Sequence, residues 1–180
     1  NRTVDNFGDV YIVRTDKNGE ILWENHFGDR YIDHGFSVVE NENGEFIIAG
    51  TKGGFYNPTS TDYLNSDADI YIIKTDALGQ EVWQKTYGGT SHDWAKSIIH
   101  APGGGYYVCG STQSEGAGSF DMFLMKIDED GNQLWFKTYG GPDWEYGEMV
   151  RLSTDQNLFL IGTSASYSGN YKPDHMLVKT

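Results

Sequence analysis

The sequence predicts an all-β protein made of repeated four-stranded antiparallel units, and three observations predict it. A hairpin-like stretch recurs: Asp9–Trp23 (DVYIVRTDKNGEILW), Asp69–Trp83 (DIYIIKTDALGQEVW), Asp121–Trp135 (DMFLMKIDEDGNQLW), and a fourth start at Asp174 (DHMLVKT). From each leading Asp, a Trp falls 14 residues later (Trp23, Trp83, Trp135) and a Gly 41 residues later (Gly50, Gly110, Gly162), with no insertion between them. No segment of helical length free of Gly or Pro carries a 3.6-residue apolar period. The leading Asp residues stand 60, 52 and 53 positions apart, so length varies only after the Gly. A fixed core with variable inserts is the signature of stacked supersecondary units.

The elements of one unit follow in order. The run behind the Asp (Val10–Val13, Ile70–Ile73, Met122–Met125) is apolar on both alternating faces, which predicts a strand buried on both sides. Gly19, Gly79 and Gly131 close a tight hairpin after it, supplying the positive φ that such turns need. The second run carries the Trp and ends at Gly28, Gly88-Gly89 or Gly140-Gly141. After a loop, the third run opens on a small residue: Gly35–Val39, Ala95–Ile99, Gly147–Arg151. The fourth run (Phe46–Ala49, Tyr106–Cys109, Leu158–Ile161) leads to the Gly. All four prolines, Pro58, Pro102, Pro142 and Pro173, lie in connections, where a missing N–H does least harm.

Four short antiparallel strands per unit of about 50 residues predict the blades of a β-propeller; a β-sandwich does not explain a 41-residue register held three times. The innermost strand of a blade crowds the axis and takes small residues, so the run opened by Gly35, Ala95 or Gly147 starts each blade. The chain then divides into the outer half of a blade (1–32), a blade (33–92), a second blade (93–144) and an incomplete one (145–180). Three and a half blades fall short of the four to eight that close a propeller. The expectation is a piece of a longer propeller, completed by further blades of the same protein or by a second chain.

The combined pattern of Gly104–Gly141 (GGYYVCGSTQSEGAGSFDMFLMKIDEDGNQLWFKTYGG), with a Gly-Gly loop and an acid before it, resembles the tandem β-propeller repeats of secreted and cell-surface proteins of bacteria, notably the Bacteroidetes, and of some archaea. The resemblance runs over essentially the whole chain. It implies an extracellular or outer-surface location, often with a C-terminal sorting domain of the type IX secretion kind, and no enzymatic activity. The chain departs from the pattern at Gly28, which lacks a Gly partner, and at Glu145, which stands where Asp33 and Asp93 stand in the other units.

Composition bounds the partners. The chain carries 26 acidic and 13 basic residues, a formal net charge of −13, which repels nucleic acid and anionic membrane. No apolar run approaches the ~18 residues of a membrane-spanning helix. One cysteine, Cys109, allows neither an internal disulfide nor a cysteine zinc site. It matches Ala49 and Ile161 in register and reads as a small buried hydrophobe.

The residues that invite a chemical role read as structural. The leading acids Asp9, Asp69, Asp121 and Asp174, and the loop acids Asp33, Asp93 and Glu145, recur once per unit, as carboxylates that cap backbone N–H groups do. The cations Arg14, Lys74, Lys126 and Lys179 are expected to pair with one of these acids. The three Trp residues lock unit to unit. Asp128-Glu-Asp-Gly-Asn is similar to part of a calcium loop but lacks its later ligands and distal Glu; calcium is the one ion this reading entertains, and no cofactor is expected. The five histidines have no short chelating spacing. Ser97 lies near His92 and Asp93, but Ser37 repeats it in register. The turn is also similar to those of quinone-dependent dehydrogenase propellers and sialidases, yet the adjacent cysteines of the first and the clustered arginines of the second are missing.

What remains is one end of the units, where the variable loops collect unmatched aromatic residues. Tyr31, Tyr56, Tyr63, Trp94, Trp144, Tyr146 and Tyr171 are the expected binding residues, with Phe55, Tyr167 and several acids beside them. Loops on a rigid scaffold are where binding usually resides. The sequence thus points to a non-catalytic binding or scaffold module whose partner is a protein or glycan at the cell surface. The alternative is part of a propeller enzyme, glycan-active or quinone-dependent, with its active site in blades outside this chain.

Overall fold

The computed structural model describes residues 8–29, 31–53, 67–167 and 172–180. These residues form strands and turns with no helix. The strands are β1 Val10–Thr15, β2 Ile21–Phe27, β3 His34–Glu40, β4 Phe46–Lys52, β5 Asp69–Thr75, β6 Glu81–Tyr87, β7 Asp93–His100, β8 Tyr106–Thr112, β9 Asp121–Ile127, β10 Gln133–Tyr139, β11 Glu145–Leu152, β12 Leu158–Ser164 and β13 Asp174–Lys179. They pair in chain order as four antiparallel sheets: β1-β2, β3-β4-β5-β6, β7-β8-β9-β10 and β11-β12-β13. Each sheet after the first starts on the small-residue strand.

The sheets stack face to face. Strand β7 packs against β3, β4 and β5 of the sheet before it, and β11 packs against β7, β8 and β9. This is why the runs behind Asp69 and Asp121 are buried on both faces; in β1, contrary to the expectation, Tyr11 and Val13 are exposed and only the face of Val10 and Ile12 packs on a neighbouring sheet. In the second sheet, Ile70 and Ile72 join the core shared with Ala95, Val108 and Phe123 of the third. Tyr71 and Ile73 point the other way, into the core shared with Val10 and Phe27 of the first.

The small residues have specific causes. In β3, β7 and β11 the register slips by one residue after Gly35, Ala95 and Gly147, a β-bulge that turns a peptide out of line. Opposite each bulge sits the Gly of the 41-residue spacing, and a Cβ there would fall on the carbonyl oxygen of His34, Trp94 or Tyr146. Gly147 has a second reason, since a Cβ would lie 2.8 Å from Met122 Cγ and 3.1 Å from Cys109 Sγ of the neighbouring sheet.

The turns are closed by acids. Asp16, Asp76 and Asp128 each accept the backbone N–H two and four residues on, at 2.7–3.0 Å, and these bonds hold Asp16 and Asp128 below the ordinary aspartate value. Gly19, Gly79 and Gly131 follow with φ of +87°, +76° and +73°, so both carboxylate and glycine of the acidic turn at Asp128 are occupied by the hairpin.

The repeated cations pair differently from the sequence expectation. Arg14, Lys74 and Lys179 reach Glu40, Glu45 and Asp155 at 3.6, 2.8 and 3.9 Å, acids at the turn end of the sheets. The leading and loop acids lie at the opposite end, beyond their reach.

Ser37 and Ser97 bridge sheets. Their hydroxyls accept the backbone N–H of Ile98 and Val150, each at 3.3 Å, from the first strand of the next sheet. That strand is an edge of its own sheet, with N–H groups in need of partners. Ser97→Ala leaves the buried Val150 N–H without its acceptor, so a loss of about 1–2 kcal/mol is expected in urea unfolding.

Candidate binding surface

Every loop that varies in length joins strands at one end of the sheets, and the tight turns occupy the other. At the loop end the structure brings three of the expected binding residues together. Trp94 is the second residue of β7 and Tyr146 the second of β11; Trp144 directly precedes β11. Trp144 stacks on Tyr146 with ring centroids 4.8 Å apart, and Tyr146 lies 6.2 Å from Trp94. Phe120, just before β9, completes the group: it stacks on Trp94 at 4.8 Å and lies 5.5 Å from Tyr146. All four rings are half-buried.

Local structure explains the gathering. Trp94 and Tyr146 stand opposite Ser111 and Thr163 on the paired strands, small partners that leave the rings room. The two loops are knitted by backbone bonds, Ser119 N–H to Asp143 O and Glu145 N–H to Phe120 O, both 2.7 Å, and by a bridge between Phe120 and Trp144. The result is a continuous aromatic strip across the third and fourth sheets. Stacked and tilted rings at these separations attract one another beyond their buried area.

Phe120 escaped the sequence reading. Its counterparts before the other leading Asp residues are Gly8, Ala68 and Pro173, so the same register comparison that singled out Trp144 would have found it.

Tyr31 lies apart from the strip. It lines a cleft of about 450 Å³ with Lys52, Gly53, Asp67, Asp69, Thr86 and Gly89. Lys52 pairs with Asp29 at 3.6 Å and lies 5.0 Å from the Tyr71 ring centroid. Tyr56, Tyr63 and Tyr171, with Phe55, fall outside the described residues.

Beneath the loop end the leading and loop acids meet in pairs. A Cβ on Gly28 would touch both Asp9 and Asp33, one on Gly140 both Asp121 and Glu145, and one on Gly88 would lie 2.5 Å from Asp69 Oδ1 and 2.6 Å from Asp93 Oδ2. Asp33, Asp93, Asp121 and Glu145 cap the loops as expected, whereas the Asp69 carboxylate accepts no hydrogen bond among the described residues. Asp33 accepts Asp29 N–H at 3.0 Å and Gly53 N–H at 2.9 Å. Asp121 accepts Ala117 and Gly118 N–H, both at 3.0 Å. Burial, more than any other influence, pushes Asp33 and Asp69 above the ordinary aspartate value, with Asp93 and Asp67 adding to the shift at Asp69. Burial also pushes at Glu145, but bonds from Ser164, Ser166 and Gly141 overcome it and hold that group low.

Cys109 is fully buried, and burial pushes its thiol up to about 12, far from the range of a nucleophile at neutral pH. Among the described residues, no group of three or more His, Cys, Asp or Glu side chains is placed to hold a metal ion.

No protein-family model and no curated protein sequence matches the chain. Among solved structures, the chain is similar to a crystal structure of a protein of unknown function from Bacteroides caccae, at 13% sequence identity and a TM-score of 0.36. The similarity covers 88% of this chain, which spans 65% of the length of that protein.

Proposed function

We propose that this chain is a non-catalytic binding module, a run of β-propeller blades from a secreted or cell-surface protein, that presents its loop end to a glycan or protein ligand. The observation that carries the reading is the strip of Trp94, Phe120, Tyr146 and Trp144, half-buried and continuous across two sheets. Aromatic strips of this kind give a ligand a large rigid contact area at small entropic cost. Support for blades comes from the strand order within each sheet and from the face-to-face stacking through β3, β7 and β11. Support for a surface location comes from the repeat resemblance and the acidic charge. Asp33, Asp93, Asp121 and Glu145 already serve the loops, which favours binding over catalysis.

The test is a screen of the protein against a glycan array and a surface-protein library, followed by titration calorimetry on the hits. Trp144→Ala and Trp94→Ala are expected to weaken the ligand at least about tenfold each, ~1.4 kcal/mol, with far-UV circular dichroism unchanged. Hits that bind the double variant as tightly as the parent refute the strip as the site.

A further inference from the structure

The three carboxylate pairs share one geometry but not one hydrogen-bond supply. Asp121 and Glu145 receive Ala117 N–H, Gly118 N–H, Gly141 N–H, Ser164 Oγ–H and Ser166 N–H. That many donors stabilise two anions side by side. The pair Asp69 and Asp93 has far less. Asp93 Oδ2 accepts Gly89 N–H at 3.0 Å and Ser114 Oγ–H at 2.6 Å. Asp93 is 1% exposed, and its Oδ1 is buried with no hydrogen-bond partner. Among the described residues, no hydrogen bond or ion pair reaches the Asp69 carboxylate.

Among the described residues, the groups around this pair do not neutralise it. Asp67 precedes it on the same segment and adds negative charge. Lys52, in the same cleft as Asp69, is paired with Asp29. From the loop before β7, the His92 ring accepts Ala68 N–H at Nδ1, 3.3 Å, and from the loop after β8 comes the neutral Ser114. Two carboxylates that both lie against one glycine, with so few donors, repel one another when both are ionised.

We propose that Asp69 holds a proton where it lies against Asp93 at Gly88, a clasp that positions Trp94, and through it the ring strip. Asp93 and Trp94 are consecutive at the start of β7, so any parting of the carboxylates is passed directly to the ring packed on Phe120 and Tyr146. Loss of the proton to solvent leaves two charges at Gly88 and moves the start of β7. Burial, with the neighbouring charges of Asp93 and Asp67, raises Asp69 above the ordinary aspartate value. The clasp is therefore favoured as pH falls toward that value from neutrality, and opened as pH rises. The Asp121–Glu145 pair, next to Phe120, Trp144 and Tyr146, is the internal contrast, since its donors hold Glu145 below the ordinary glutamate value. The consequence for binding rests on the strip being the binding surface; the clasp itself does not.

The test is ¹⁹F NMR of the intact chain labelled with fluorotryptophan, with resonances assigned by Trp94→Phe and Trp144→Phe, titrated from pH 8 to pH 4. The Trp94 resonance is expected to follow one proton, with a midpoint above the 3.8 of an unperturbed aspartate, while Trp144 stays in place. Asp69→Asn, which mimics the neutral partner, is expected to hold Trp94 at its low-pH position throughout. A flat Trp94 resonance in the parent, movement that survives Asp69→Asn, or Trp144 moving in step with Trp94 each overturns the clasp. Absence of any glycan or protein ligand would leave this titration unaffected, so the two readings fail separately.

Discussion

Gly110→Ala is expected to destabilise the chain by about 3 kcal/mol or more, a fall of roughly 6–12 °C in the thermal midpoint for a chain of this size. The position does not need a glycine for its backbone angles, since Gly110 is absent from the positive-φ residues. It needs one because β7 bulges across from it. The extra residue, Lys96, leaves Ala95 paired with Gly110 and Ser97 with Cys109. The rotated peptide lays the Trp94 carbonyl where a Cβ would stand, with Ala95 Cα and Phe123 Cε1 each at 2.9 Å behind it. Main chain cannot move aside as a flexible side chain can, so β7 and β8 must part. Gly103→Ala is the control: its φ is +81° and a Cβ there meets nothing within 4 Å, so its expected cost is about 1–2 kcal/mol, from backbone conformation alone. Equal losses at the two sites would show that the bulge contact is not what selects glycine at position 110. Displacement of Trp94 O also predicts that Gly110→Ala disturbs the ring strip before it unfolds the chain.

The strands were legible because each leaves a mark in a single stretch of sequence. Val10–Val13, Ile70–Ile73 and Met122–Met125 are doubly apolar, and they lie within β1, β5 and β9. Small residues at 35, 95 and 147 marked the strand that stacks on the neighbouring sheet. The bulge was not legible, because it belongs to two strands at once: Phe36, Lys96 and Glu148, the extra residues, share no chemistry. The carboxylate pairs were half legible. Each acid was read alone as a loop cap, yet Asp9 and Asp33, Asp69 and Asp93, and Asp121 and Glu145 are all 24 residues apart, a constant that already implied contact. The cation partners were misplaced because alternation along a strand gives a face but not an end. Of the site, the ring types were visible and their gathering was not, since Trp94 and Tyr146 meet only once β11 packs on β7.

Trp83→Ala is expected to cost about 3 kcal/mol, at the low end for loss of a Trp because the ring is only half-buried, and the loss is expected to concentrate at the contact between the second and third sheets. The ring lies over the hairpin turn of the next sheet, where a Cβ on Gly131 would come within 2.8 Å of its Cη2 and 3.0 Å of its Cζ3. Lys85 Nζ donates to Asp130 O at 2.6 Å and Tyr87 Oη to Gly131 O at 2.6 Å from the same strand, so β6 grips that turn along its length. Trp23 does the same one sheet earlier, where its Nε1–H donates to Ala77 O at 3.2 Å above Gly79. Gly79 and Gly131 thus answer two demands, their own positive φ and a ring from the sheet before, whereas Gly19 answers only the first. A double-mutant cycle separates them. In the parent, Gly131→Ala meets both the φ of +73° and the Trp83 ring; in Trp83→Ala it meets only the first. The second substitution is therefore expected to cost at least about 1 kcal/mol less in the Trp83→Ala background, a coupling of the size found for residues in contact. Strictly additive losses in urea unfolding would mean that the turn glycine is required by its hairpin alone and that Trp83 does not lock the two sheets.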